Sequence, residues 1–306
     1  FILDTLIEGG APPEINYLNY PHVGSDNLKI IVKNLREKFE DIGGKVIFET
    51  RVLDFHNNEN KTITLKTDTQ DYTADFVFFA PGNSATTTYK MLIKNGIKFQ
   101  PKPFAIGVRV EHLQSDINKA QWATTTLPGV KAAEYRLTYT TKDKYPVYSF
   151  CMCPGGTILS SACYPGQNSV NGASNYLRDS QWANAGLVVA FNLETLFNKP
   201  FTALEALDWL DSLERKAFSI SNGHGSPFNT IKAFIDGEIT TETVSSSYNF
   251  PLIPYDYEHL LPMQVVQSLR EGLSHFCKKI NNFDKGIMVG LESKTSHPIQ
   301  VIRHED

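Results

Sequence analysis

Residues 149–156 read SFCMCPGG, and two of the chain's four cysteines, Cys151 and Cys153, stand one residue apart there. On an extended strand such a pair points to one face. Half a zinc site, a redox pair and a catalytic thiol are the chemistries this spacing allows; the plain alternative is two small apolar side chains lining a core or pocket. Zinc asks for four ligands, and Cys163, Cys277, His224 and His275 show no ligand spacing with the pair. No metal site is expected. A disulfide across one intervening residue is strained, so packing is the first reading of the thiols. Cys151 and Cys153 are still the leading catalytic candidates.

Three other stretches could do chemistry. His22 stands in YPHVGSDN, just before a helix pattern, where a histidine can move a proton or help hold an anion. GLESKTSHP places Glu292, Lys294, Thr295, Ser296 and His297 at the end of an apolar run, which suggests the edge of a substrate site; a solvated loop is the alternative. FVFFAPGN reads as a buried strand ending in a small-Pro-Gly turn. Such a turn lets backbone approach a ligand at the carboxyl edge of a sheet. No G-x-G-x-x-G loop, no Ser/His/Asp order and no paired carboxylates are present.

The elements that must position these residues are partly legible. The spacing of Leu28, Ile31, Val32, Leu35 and Phe39 predicts a helix over 25–42, with Ser25 as its cap and Gly43-Gly44 as its stop. KVIFETRVLDF predicts one or two strands and TITLKT another. TADFVFFAPGN predicts a central strand of a parallel sheet, and SATTTYKMLIKNG a helix. Residues 25–96 thus read as part of an α/β nucleotide-fold domain. KPFAIGVRVEH predicts a crossing strand. Strands follow at 135–139, 147–152, GTILSSACY and NAGLVVAFN, and helices at 203–218 and 261–276.

The bulk numbers set outer limits. The 306 residues are 41% hydrophobic and 20% charged, which suits a globular chain of two lobes. The net charge is -4 with no Lys/Arg run, so neither nucleic acid nor an anionic membrane is the expected partner. No apolar run approaches the roughly 20 residues of a membrane span. Four cysteines form no disulfide framework, which points to a cytoplasmic chain with free thiols. Phe1 opens the sequence and VIRHED closes it straight after a strand-like run; both ends read as cut, as in an interior piece of a longer protein.

YPHVGSDNLKIIVKNLREKFEDIGGKVIFETRV, FAPGNSATTTYKML, KPFAIGVRVEH, YSFCMCPGG, VNGASNYLRDSQWANAGLVV and GLESKTSHPIQVIR occur in this order. Together they resemble a group of uncharacterised bacterial FAD-dependent dehydrogenases, the NAD(FAD)-utilising dehydrogenases, over nearly the whole chain. The resemblance implies an α/β protein with a partial Rossmann-like FAD-binding domain at 1–108, to which 285–306 returns. An inserted α+β substrate domain would occupy 109–284, beginning near Arg109 and ending near Asp284. It implies FAD contact at Val52 and at Ala80, Pro81, Gly82 and Asn83, with NAD(P)H as a possible electron donor and a small molecule as substrate. The implied function is hydride transfer through FAD. A flavin-dependent transferase or RNA-modifying relative, and a cofactor-free binding module, are the alternatives. The family's Gly-rich FAD loop and a second flavin-contacting segment are absent from these 306 residues, so the chain alone is expected to hold FAD poorly and to be inactive. Where Lys294 stands, the family more often has Arg; Lys keeps the charge but not the planar fork.

Overall fold

The computed structural model describes residues 1–221 and 223–303. After α1 (Ile2–Glu8), the strongest helical pattern forms α2 (Ser25–Asp41), ended by Gly43 at φ +93. Its N-cap is Gly24 and not Ser25. The Ser25 hydroxyl instead donates to the Ser174 carbonyl at 3.1 Å, and Asp26 accepts from the Tyr176 amide at 2.8 Å. The helix start is therefore tied to a distant loop. Only part of its apolar face is used: Ile31 packs with Ala11 and Ile15, while Leu28, Val32 and Phe39 stay exposed.

β1 (Val52–Asn57), β2 (Ile63–Thr67) and β3 (Tyr72–Ala74) form an antiparallel sheet. Two sequence expectations fail beside it. The run 45–50 is not a strand, and neither is the run 75–80, expected to be a buried central strand. Phe76 is 82% and Phe78 93% exposed; Phe79 alone packs, against Phe55 at 5.3 Å. Apolar composition makes a strand only when neighbours take up its amides and cover its faces. No described strand pairs with either run. α3 (Thr86–Lys94) and β4 (Phe99–Pro101) follow.

The main core is built on β5 (Phe104–Leu113). After it come α4 (Gln114–Trp122), β6 (Thr138–Thr140), β7 (Pro146–Cys153), β8 (Gly156–Ser160), β9 (Val170–Ser174) and β10 (Trp182–Phe191). Then follow α5 (Leu193–Phe197), α6 (Ala203–Ser221), β11 (Ser226–Thr230), α7 (Ile231–Asp236), β12 (Leu252–Pro254), α8 (Met263–Cys277), β13 (Ile287–Glu292) and β14 (Ile299–Val301). Seven strands make one sheet in the order β12-β11-β13-β5-β10-β7-β6. All neighbours are antiparallel except β11 with β12. The protein is thus a mixed α/β fold with a large mixed sheet. The expected boundary at 108/109 falls inside β5. Of the segment 285–306, β13 is a strand of this sheet and β14 pairs with β4, while 304–306 lie outside the described residues.

The alternation of β5 sorts its side chains into two layers. Phe104, Ile106, Val108 and Val110 join Leu187 and Val189 of β10 in a core covered by α6, α7 and α8. On α8 the covering residues are Val265, Leu269, Leu273 and Phe276, one helical face. Each such burial stabilises by about 1.5–3 kcal/mol. Gly107, Arg109 and Glu111 point the other way and are equally buried, Arg109 beneath the β8–β9 hairpin and Glu111 against Ser246 and Ser247. The charged residues of a fully covered strand therefore lie in one internal layer.

Candidate active site

Arg109 is the centre of that layer, with no exposed surface. Its guanidinium spends its donors on four strands. Nε donates to Asn184 Oδ1 of β10 at 2.9 Å, and Nη1 to Glu292 Oε2 of β13 at 2.7 Å and Asn171 Oδ1 of β9 at 3.2 Å. Nη2 donates to the Cys151 carbonyl at 2.6 Å and to Cys153 Sγ at 3.4 Å, both on β7. The planar fork with five N–H donors suits this role, which Lys could not fill. Glu292 is as buried as Arg109. Burial pushes its carboxyl up, and Arg109 offsets only part of that. Its Oε1 and the Asn184 Nδ2 have no hydrogen-bond partner among the described residues.

The hairpin closes over this cluster through Gly172. A Cβ there would stand 2.1 Å from Asn184 Oδ1 and 2.3 Å from Arg109 Nη2. Only glycine lets β9 come this near.

The thiols occupy the rim. β7 carries one residue more than β10 between Phe150 and Cys153, a β-bulge, and Cys151 has φ +44 within it. Bulges re-aim side chains and concentrate near functional sites. Cys151 is exposed and Cys153 is buried. The Cys151 thiol is pushed down to about 6, first by a hydrogen bond from Cys153, against burial, and then by Arg109. The Cys153 thiol is pushed up, first by that same bond and next by burial. Of the two thiols the outer one thus ionises first, which makes Cys151 the candidate nucleophile. Cys151 lines a cleft of about 640 Å³ with Tyr20, Glu134, Tyr135, Arg136, Ser149, Phe150 and Met152.

The other predicted residues are spread around this centre. Glu292 is in it, as the buried partner of Arg109. The Lys294 ammonium is held by Glu214 Oε1 at 2.6 Å, a pair nearly removed from water. His22 lies apart from the thiols, in a smaller cleft with Lys131, Tyr176 and Arg178. Its ring Nε2 is 2.9 Å from the Asn175 carbonyl; burial lowers its pKa, partly offset by that bond. Arg109, Asn171, Asn184 and Tyr135 were not singled out from sequence. The signal for Arg109 was present: a lone arginine inside the otherwise apolar run FAIGVRV.

The turn 80–83 is exposed, apart from half-buried Pro81. Gly82 has φ +74, and a Cβ there would meet nothing within 4 Å. The turn is held from below: Tyr89 donates to the Gly82 carbonyl at 3.0 Å and Asn83 Nδ2 to the Lys294 carbonyl at 3.3 Å. A pinned backbone with open space above it fits main-chain contact with a dinucleotide cofactor. The turn contributes no cationic side chain for its phosphates. Val52 is half-buried at the start of β1, opposite Thr67. No helix among the described residues is long and apolar enough to cross a membrane.

Comparison with known proteins agrees with a flavin association. An uncharacterized protein of Clostridium beijerinckii is 36% identical over 311 aligned residues, which cover 99% of this chain and 58% of that relative. The chain therefore spans less than two thirds of the relative's length. Residues 103–295 match the family described as FAD-dependent protein, C-terminal domain-like, and this segment holds the whole seven-stranded sheet and the Arg109 cluster. On that match, over more than half its length, the chain belongs to the FAD-dependent protein C-terminal domain-like family.

Proposed function

We propose that this chain is part of an FAD-dependent oxidoreductase that acts on a small molecule bound at the Cys151 cleft. The observation that carries the reading is one of place. Arg109, Cys151, Cys153, Asn171, Asn184 and Glu292 all fall inside the segment that matches an FAD-dependent family. When bound, FAD would supply two-electron hydride chemistry. The residues that would hold it are the backbone of Ala80, Pro81, Gly82 and Asn83 and the start of β1 at Val52.

The chain's own residues have separate tasks. Arg109 fixes the Cys151 carbonyl and so the aim of the bulge. Cys153 holds the proton that keeps Cys151 ionised. The β8–β9 hairpin keeps water from the Arg109–Glu292 pair, where a low dielectric strengthens the attraction. Arg136 and Glu134 put both signs of charge at the cleft wall. A reduced nicotinamide is the electron donor this reading expects.

The test uses this chain and the full-length Clostridium beijerinckii relative. Each is scanned for a flavin band near ~450 nm, then titrated with FAD while thermal unfolding is followed. The relative is expected to be yellow or to gain thermal stability with FAD, and its flavin to bleach under a reduced nicotinamide in the absence of oxygen. A relative that stays colourless and gains no stability would overturn the flavoprotein reading.

A further inference from the structure

The bulge in β7 separates the two thiols by burial but not by distance. Cys151 faces the cleft and Cys153 the interior. Yet Cys153 Sγ lies 3.4 Å from the Cys151 carbonyl, so the inner thiol stays against the backbone of the outer residue. Residues two apart on a straight strand stand at the upper limit a disulfide can span. The bulge takes this stretch out of full extension. A second observation comes from Tyr135, which lines the same cleft and is only 6% exposed. Its hydroxyl is buried without a hydrogen-bond partner among the described residues, close enough to Arg109 and Cys153 to feel their charges. An unpaired buried hydroxyl is costly unless a bound species supplies the acceptor.

We propose that Cys151 and Cys153 form a dithiol–disulfide exchange centre whose substrate is a small-molecule disulfide bound in the cleft beside Tyr135. The proposal goes beyond the flavin reading and does not rest on it. In the first step the Cys151 thiolate attacks one sulphur of the substrate. A mixed disulfide forms, the substrate S–S bond breaks, and one thiolate leaves. In the second step Cys153 attacks Cys151 Sγ, an internal disulfide forms, and the other half of the substrate leaves as a second thiolate. The Cys153 proton departs on one of the two released thiols. The protein dithiol loses two electrons and the substrate disulfide gains them, so no other oxidant or reductant is needed.

The order of attack follows from the surroundings. In the reduced protein Cys153 keeps its proton because of Cys151 and of burial. Once Cys151 is in a mixed disulfide, its negative charge is gone. Arg109 Nη2, 3.4 Å from Cys153 Sγ, then favours the Cys153 thiolate. The first reaction therefore prepares the second.

The probe is oxidised glutathione, with acid quenching and peptide mass mapping. The wild-type protein is expected to yield a Cys151–Cys153 disulfide and to release two glutathione molecules. Cys153→Ser is expected to stop with glutathione on Cys151. Cys163, also exposed, is the internal control and should react at least about tenfold more slowly. The proposal is overturned if the wild-type protein stops at a mixed disulfide, or if Cys163 reacts as fast as Cys151. Both readings come from the wild-type protein, so a variant that fails to fold does not shield the proposal.

Discussion

Cys151 is an exposed thiol whose ionisation depends on a buried neighbour. Its thiolate is the main species above about pH 6 and is lost as pH falls through that value. Alkylation by iodoacetamide should follow the same curve, with near-maximal rate at about pH 7. Cys153→Ala removes the largest cause of the shift, so the midpoint should move up towards the ordinary thiol range. A midpoint unchanged in that variant would remove Cys153 from the account. Arg109 is a different kind of residue. Among the described residues it is the only cation paired with buried Glu292, and it holds two asparagines and a carbonyl as well. Arg109→Met should cost about 3–5 kcal/mol in urea unfolding, because a buried carboxylate loses its partner. Adding Glu292→Leu should recover much of that loss. A double variant as unstable as the sum of two single ones would show that the pair does not act as a unit.

At the scale of elements, the site depends on how closely one hairpin sits on one sheet. β5 and β10 supply Arg109 and Asn184, β7 supplies the thiols, and β9 closes the layer through Gly172. Gly172→Ala puts a methyl group onto the Asn184 and Arg109 side chains, and the hydrogen-bonded cluster or the hairpin must shift to admit it. The expected cost is about 1–3 kcal/mol of overpacking, with a rise in the Cys151 midpoint as Arg109 is displaced. Alkylation and unfolding measured on the same variant separate the two effects. Loss of stability with the thiol profile unmoved would mean that the hairpin covers the cluster without positioning it.

Over the whole molecule, acid should weaken the fold at an identifiable place. His112 is buried against Phe283, with Nε2 2.9 Å from the Phe283 carbonyl. Burial pushes it from 6.5 down to about 4. The neutral ring therefore contributes stability that is full above about pH 6.5 and is lost as pH falls through about 4. The total is up to ~3 kcal/mol. Glu111 and Glu292, whose carboxyls burial pushes up, act in the opposite sense, so the net slope is shallower. The gap in unfolding midpoint between wild type and His112→Gln should be wider at about pH 7 than at about pH 4. An equal gap at both would acquit His112.

Local pattern was enough for what depends on local pattern. The periodicity of residues 25–42 and 261–276 located α2 and α8, the alternation of FAIGVRVEH located β5, and NAGLVVAFN located most of β10. The runs 45–50 and 75–80 misled, because a strand is completed by neighbours that the run itself does not specify. The site was legible only in outline. SFCMCPGG marked the two thiols, and GLESKTSHP marked Glu292, since unusual residue types show in a string. Their roles did not show. A one-residue bulge reassigned one thiol to water and the other to the interior. Glu292 met Arg109 across 183 positions of chain, a pairing set by strand order and not by any spacing. The sequence by itself determined which residues could carry charge and which faces would be apolar. Tertiary structure alone decided which charges share a buried layer, because desolvation and contact distance exist only once the strands lie side by side.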